Sequence, residues 1–337
     1  MKKTVWILLY LLITRVVGNT VWAQDISLNG SWDLQFFPQP REAVVDPAGL
    51  QAVEAKKVVA MVPGNVELDL LRAGLIEDPM IGNNIYSLRK YEGYQWCYSR
   101  SFVSPAIKEE EEVYLFFGGI DCIAEVWLNG EHLGSVNNMF IEHRFDVTRF
   151  LRKEGENLLQ VMIRSAVMEA QRYSLGTFSI GNFAAAESVS IRKAPHMYGW
   201  DIMPRLVSAG LWRDVALQVV NQTHIVNTHW MTSNIDLDNR RARLFLDLQL
   251  KVPFEKLDKT HAVVTLKRNE KIVHEQELLI TSHAFRHVVE LHDVDFWWPR
   301  GYGEPALYDA EVKLVDASGE ILSKKRERVG GRTVKLD

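Results

Sequence analysis

Cysteine is nearly missing from this 337-residue chain, which holds only Cys97 and Cys122. Two thiols cannot brace a disulfide scaffold, so the fold has to be held by buried apolar surface. They could pair if their strands are neighbours, and otherwise serve as small buried hydrophobes. Blocks of one charge are scarce too. The net charge is -4 and the longest like-charge run is Glu109 to Glu112, which reads as a solvated turn between strands. Nothing in that distribution points to a nucleic-acid partner or a membrane surface. No HExxH, CxxC or clustered histidine pattern occurs, so no metal or other cofactor is expected.

A long apolar run occurs only at the N-terminus. Lys2 and Lys3 precede Val5-Trp6-Ile7-Leu8-Leu9-Tyr10-Leu11-Leu12-Ile13, and Val21-Trp22-Ala23 leads to a cut before Gln24. Residues 1–23 therefore read as a secretory signal peptide, and the mature chain is expected to be exported, periplasmic or secreted. A bilayer span takes about 20 apolar residues and Arg15 interrupts any extension, so no transmembrane span is expected. An uncleaved interfacial anchor is the alternative.

Sustained 3.6-residue periodicity is absent as well, which excludes βα units and hence a (β/α)₈ barrel within these residues. What is present is β pattern. Runs at Gly30–Phe36, Gln95–Val103, Val113–Phe117, Ala124–Leu128 and Leu158–Ile163 are each bounded by Gly, Asn or Pro, as half-buried strands are. Asn129-Gly130 marks a type I′ hairpin, whose two central residues need positive φ. Asn65 is placed to cap a short helix over Val66–Arg72 closed by Gly74, and a single turn is expected around Thr148–Lys153, ended by Gly155. From about Asn221 a second set begins. Leu244, Leu246, Leu248 and Leu250 alternate with Phe245, Asp247 and Gln249, and similar patterns recur at 263–267, 272–278, 285–291 and 310–314. About seven strands in about 110 residues suit an immunoglobulin-like sandwich.

One segment fits neither pattern. Ile191 to Trp212 holds Pro195, Pro204, Gly199 and Gly210, which forbid a long helix or a central strand, so it reads as a loop. It sets Trp200 beside Asp201, with Arg192, Lys193, His196 and Arg205 close by. An indole offers a flat face to sugar C–H groups, and the charged groups offer donors and acceptors to hydroxyls. A structural loop that packs Trp200 under a sandwich rim fits the composition equally well.

Several motifs in order resemble the N-terminal half of glycoside hydrolase family 2 enzymes, most closely bacterial β-mannosidases. They are Leu28-Asn29-Gly30-Ser31-Trp32, Val62-Pro63-Gly64, Tyr94-Gln95-Trp96, Phe117-Gly118-Gly119-Ile120-Asp121, Val126-Trp127-Leu128-Asn129-Gly130, Asn138-Met139-Phe140, Asp146-Val147-Thr148, Gly199-Trp200-Asp201 and Trp298-Pro299. The resemblance implies an all-β architecture: a jelly-roll, galactose-binding-like sandwich over residues 24–220, then an immunoglobulin-like sandwich over 221–330. Residues 331–337 would open the family's (β/α)₈ barrel, a unit of roughly 250 residues that is missing from this sequence and that carries both catalytic glutamates. The implied activity of the complete enzyme is retaining hydrolysis of terminal β-D-mannose residues, with a β-mannoside or related glycan and the barrel as partners.

By the same resemblance Trp200 and Asp201 line the glycone pocket, Asn84 is a weaker pocket candidate, and Arg192 and Arg205 hold the loop through carboxylate contacts. The family's Trp-Asp-Trp-Gly-Pro is here Trp-Asp-Ile-Met-Pro, with Ile202 and Met203, and Ile85 stands where an acid is common. Asn84 could equally cap a turn through its own side chain. No catalytic residue is assigned: Asn269-Glu270 reads as a hairpin turn, and Glu67 and Asp69 as charges on a helix face. A stand-alone carbohydrate-binding protein and a structural remnant of a truncated gene remain as other readings.

Overall fold

The computed structural model describes residues 23–173 and 186–335. The expected signal peptide lies outside the described residues except for Ala23. No helix among the described residues is long and apolar enough to cross a membrane.

The expected all-β architecture holds. In the first sandwich a six-stranded antiparallel sheet runs in the order Lys56–Val62, Gly30–Pro38, Tyr94–Val103, Glu156–Ile163, Ala124–Leu128 and Glu131–Val136. A four-stranded sheet of Ala23–Ser27, Val215–Asn221, Glu111–Phe117 and His143–Asp146 faces it. Alternate residues such as Trp32, Leu34 and Phe36 from one sheet and Leu115, Phe117 and Leu217 from the other share one buried core. That pattern follows from the two-residue repeat of a strand with one wet face. Asn29 closes the unit. Its side chain accepts from the Val215 N–H at 2.9 Å and donates to Asp214 at 2.8 Å, which joins the start of the chain to the last strand.

Turn chemistry acts as the residues dictate. Asn129 and Gly130 take φ of 55° and 87° between paired strands. The Asn65 side chain accepts from the Leu68 N–H at 3.0 Å and caps the helix Val66–Arg72, with Gly74 at φ 68° after it. Residues 147–151 form a hydrogen-bonded turn, through Phe150 and Leu151 N–H groups donating to the Val147 carbonyl.

The second sandwich has seven strands. Three, His224–Asp236, Arg241–Lys251 and Ala284–Leu291, face four, Lys271–Leu279, Thr260–Arg268, Tyr308–Asp316 and Ile321–Val329. The four leucines 244, 246, 248 and 250 all point into its core, with Val264, Leu266 and Val312 opposite. Asn269 and Glu270 sit at φ 48° and 63° between paired Arg268 and Lys271, the hairpin turn that the sequence indicates. The two cores share no residue.

One open alternative is decided and one local expectation is corrected. Cys97 and Cys122 are free and lie in separate apolar clusters, with both thiols pushed up to about 12 by burial. The run Glu109–Glu112 is not a solvated turn throughout. Glu111 and Glu112 begin a strand, and Glu112 is bound by Lys251 of the second sandwich at 2.7 Å.

Candidate functional site

Because residues 191–212 make almost no regular structure, their backbone and side chains have to be tied down one contact at a time. The first tie is to the segment Asn138–Phe140. The Met139 N–H donates to the Arg192 carbonyl at 3.0 Å, and the Trp212 indole N–H donates to the Met139 carbonyl at 3.2 Å. The second is ionic and buried. Lys193, 1% exposed, sets its ammonium 2.5 Å from both oxygens of Asp121, 3% exposed, and donates to the Ser208 carbonyl at 2.7 Å. Three acceptors exhaust the three donors of an ammonium. The third involves Glu67, whose carboxylate accepts from the Ser208 hydroxyl at 2.6 Å.

Glu67 and Asp69 thus correct the expectation of helix-face charge. Both are buried. Asp69 accepts from the Met61 N–H at 3.0 Å and from Arg72, which fixes the helix to its neighbouring strand. Burial raises the Glu67 carboxyl above its ordinary value, against the lowering effect of the Ser208 bond and of Lys193.

These anchors present a turn to solvent. Gly199 takes φ 95°, where a Cβ would come within 3.2 Å of Arg205, so glycine is required there. Trp200 and Met203 then bond to each other through both backbone pairs, at 2.9 and 3.2 Å. Trp200 is 63% exposed and Ile202 85% exposed, so the indole is not packed beneath a rim. Asp201 is exposed and has no hydrogen bond or ion pair among the described residues. An open indole face beside an unspent carboxylate can meet the apolar and hydroxyl faces of a sugar at once.

The two arginines divide. Arg205 donates to both carboxylate oxygens of Glu92 at 2.8 Å and to Glu187 at 2.6 Å, while its guanidinium lies 5.2 Å from the Tyr198 ring centre. It is the expected loop support. Arg192 is not: its side chain is exposed with no carboxylate partner among the described residues, and only its backbone carbonyl carries load. The anchoring charge is its neighbour, Lys193. Asn84 spends its side-chain N–H on the Asp78 carbonyl at 3.0 Å, so it caps a turn. It begins the 3₁₀ segment Asn84–Gly93 that carries Glu92, and thereby belongs to the support of Arg205.

Below the turn lies an open cleft of ≈ 760 Å³ whose walls include Met80, Ile85, Met139, Phe140, Met203 and Trp212, a size that accommodates small ligands. Asp121 is also among its lining residues. Retaining glycoside hydrolysis needs two carboxyl groups about 5 Å apart that can reach the anomeric carbon. Asp121 spends both oxygens on Lys193, and Glu67 is buried on Ser208. Neither is a free nucleophile or acid.

Sequence reasoning placed Lys193 only among the loop's charges and Glu67 only on a helix face, and it missed Glu92 and Glu187. Lys193 and Asp121 are separated by 72 residues, and no local pattern encodes a partner at that distance. Buried pairs broken on one side cost about 3–5 kcal/mol. Lys193→Met is therefore expected to lower unfolding stability by about that amount in urea titration, and adding Asp121→Asn to restore part of it; equal stability of Lys193→Met and wild type would contradict the pin. A carboxyl whose folded-state pKa is raised stabilises the fold below its unfolded value of 4.5, and this contribution is lost as pH rises through the folded value. Glu67→Gln should therefore gain thermal stability relative to wild type between pH 4 and pH 7. A constant difference across that range would contradict it.

The family profile "Glycosyl hydrolase 2 galactose-binding domain-like" matches residues 49–213, and "Glycosyl hydrolases family 2" matches residues 223–332. Beta-mannosidase B of Aspergillus terreus is 30% identical over 290 residues, 85% of this chain and 34% of that relative. Beta-mannosidase B of Aspergillus clavatus is 30% identical over 298 residues, 87% of this chain and 35% of that relative. The chain thus spans about a third of the length of these curated relatives. The crystal structure of beta-D-mannosidase from Dictyoglomus thermophilum superposes with a TM-score of 0.75 at 31% identity, covering 93% of this chain and 37% of that one. A Bifidobacterium dentium beta-glucuronidase, at TM-score 0.63 and 21% identity over 94% of this chain and 49% of its own, shares the fold. The two profiles together cover most of the described residues, one on each sandwich, and the chain belongs to glycosyl hydrolase family 2.

Proposed function

We propose that this chain is the sugar-facing wall and scaffold of an exported β-mannosidase, which removes terminal β-D-mannose residues by a retaining mechanism. The observation that carries this reading is the Gly199–Met203 turn, with Trp200 open, Asp201 unspent and Arg205 locking its base. The mannosidase relatives support the substrate class. In this reading Asp201 accepts hydrogen bonds from glycone hydroxyls, while Trp200 and the apolar cleft exclude water from that side of the pocket.

Bond cleavage is assigned to a (β/α)₈ barrel carried by polypeptide beyond these two sandwiches. A carboxylate there attacks the anomeric carbon and a second carboxyl protonates the departing oxygen; water then releases mannose with retention. Export follows from the basic and apolar N-terminal segment. That Asp201 has no partner among the described residues also favours a second reading, in which the chain binds a glycan unaided as a non-catalytic module.

One set of measurements separates them. The isolated chain is expected to show no turnover of an aryl β-mannoside and no saturable mannoside binding by calorimetry, since a single wall buries little of a sugar. Joined to the barrel of the Dictyoglomus thermophilum enzyme, it is expected to support turnover. Asp201→Ala should then lower kcat/KM by roughly 10- to 100-fold, the loss of one charged hydrogen bond of about 1.5–3 kcal/mol, without a change in Tm. Unchanged kcat/KM would remove Asp201 from the site, and tight binding by the isolated chain would favour the module.

A further inference from the structure

Only Gln222 and Thr223 separate the last strand of the first sandwich, Val215–Asn221, from the first strand of the second, His224–Asp236. The two apolar cores share no residue, so the angle between the units has to be set by what crosses the junction. Polar groups cross it. Lys251, at the end of the strand Arg241–Lys251, places its ammonium 2.8 and 2.7 Å from the two Glu112 oxygens and 3.1 Å from the Tyr114 hydroxyl. The Arg144 guanidinium lies 4.5 Å from the centre of the Tyr114 ring. His224, paired with Lys251 in the sheet, meets the same ring edge-on at 5.7 Å and donates from Nδ1 to the Asn221 carbonyl at 2.8 Å. A second lysine, Lys256, reaches Glu110 at 2.8 Å, and the Gln222 N–H donates to the Glu110 carbonyl at 2.8 Å.

We propose that the acidic run Glu109–Glu112 is a salt-sensitive latch that sets the angle between the two sandwiches, with Lys251 as its positioning residue. The charge distribution fits a latch better than a solubilising patch. Glu112 is mostly buried, whereas Lys251 stays partly open to solvent and Glu110 mostly so, and half-open pairs are the ones that salt weakens. Tyr114 gives the latch direction, since its ring is gripped by Arg144 and His224 while its hydroxyl is held by Lys251 and Glu112. The consequence for the sugar site rests on the function proposed above: the turn bearing Trp200 belongs to the first sandwich, and its bearing on anything attached to the second depends on this angle. The latch itself does not rest on that function.

The test uses spin labels at Val103→Cys and Ile272→Cys, both exposed positions on different sandwiches; Cys97 and Cys122 are buried and stay unlabelled. Pulsed electron resonance should give a narrow distance distribution at low salt. Lys251→Met with Lys256→Met is expected to broaden it, as is about 1 M salt, where the screening length falls to about 3 Å. The exchanged pair Glu112→Lys with Lys251→Glu should recover the narrow distribution. An unchanged distribution in the double variant, with both sandwiches folded by circular dichroism, would overturn the proposal. So would failure of the folded exchanged pair to recover it. Neither readout involves sugar binding.

Discussion

The ammonium of Lys193, sunk between Asp121 and the Ser208 carbonyl, is the interaction on which the candidate site depends. A loop rich in proline and glycine has no ladder of backbone bonds to hold it, and its ordering entropy has to be offset by specific contacts. One buried cation joins three places: the loop at residue 193, its return at Ser208, and the short strand Ile120–Asp121 of the sandwich. Ser208 then passes the connection to Glu67 in the helix Val66–Arg72. Such a pair contributes little net stability against an apolar replacement, but it defines one geometry because the alternative is an unpaired buried charge.

A second ionic group acts above it. Arg205 binds Glu92 and Glu187 and shields the back of the Gly199 turn. These two clusters do different work. The lower one fixes where the loop leaves and rejoins the sandwich, and the upper one fixes how far the Trp200–Asp201 tip stands clear. Between them they leave a tip whose Trp200 and Met203 backbone groups are paired and whose Asp201 side chain has no partner among the described residues, as a preorganised binding surface requires.

The fold was almost wholly legible because its rules are local. Alternation at 244–250, the Asn129-Gly130 and Asn269-Glu270 turns and the Asn65 cap each need only neighbouring residues, and each takes the expected conformation. The tip of the site was legible for a related reason: Trp200-Asp201 sits among residues that refuse regular structure. Its support was not. Lys193 looked like one more loop charge beside Arg192, and Glu67 and Asp69 looked like solvated helix residues, because burial and partners distant in sequence decide their roles. The run Glu109–Glu112 misled for the same reason, since its partners Lys251 and Lys256 belong to the other sandwich.

The two family 2 profiles each cover one sandwich, and Asp121 and Glu67, both buried and bound to partners, do not form a reactive acid pair. The central claim is that the anchored turn faces a mannoside. A crystal structure of the complete enzyme holding an unreactive β-mannoside would test it most directly. The account requires the Asp201 carboxylate within hydrogen-bonding distance of a glycone hydroxyl and the Lys193–Asp121 pair intact beneath it. A bound mannoside whose hydroxyls find all their partners elsewhere, with Asp201 left in bulk water, would contradict it.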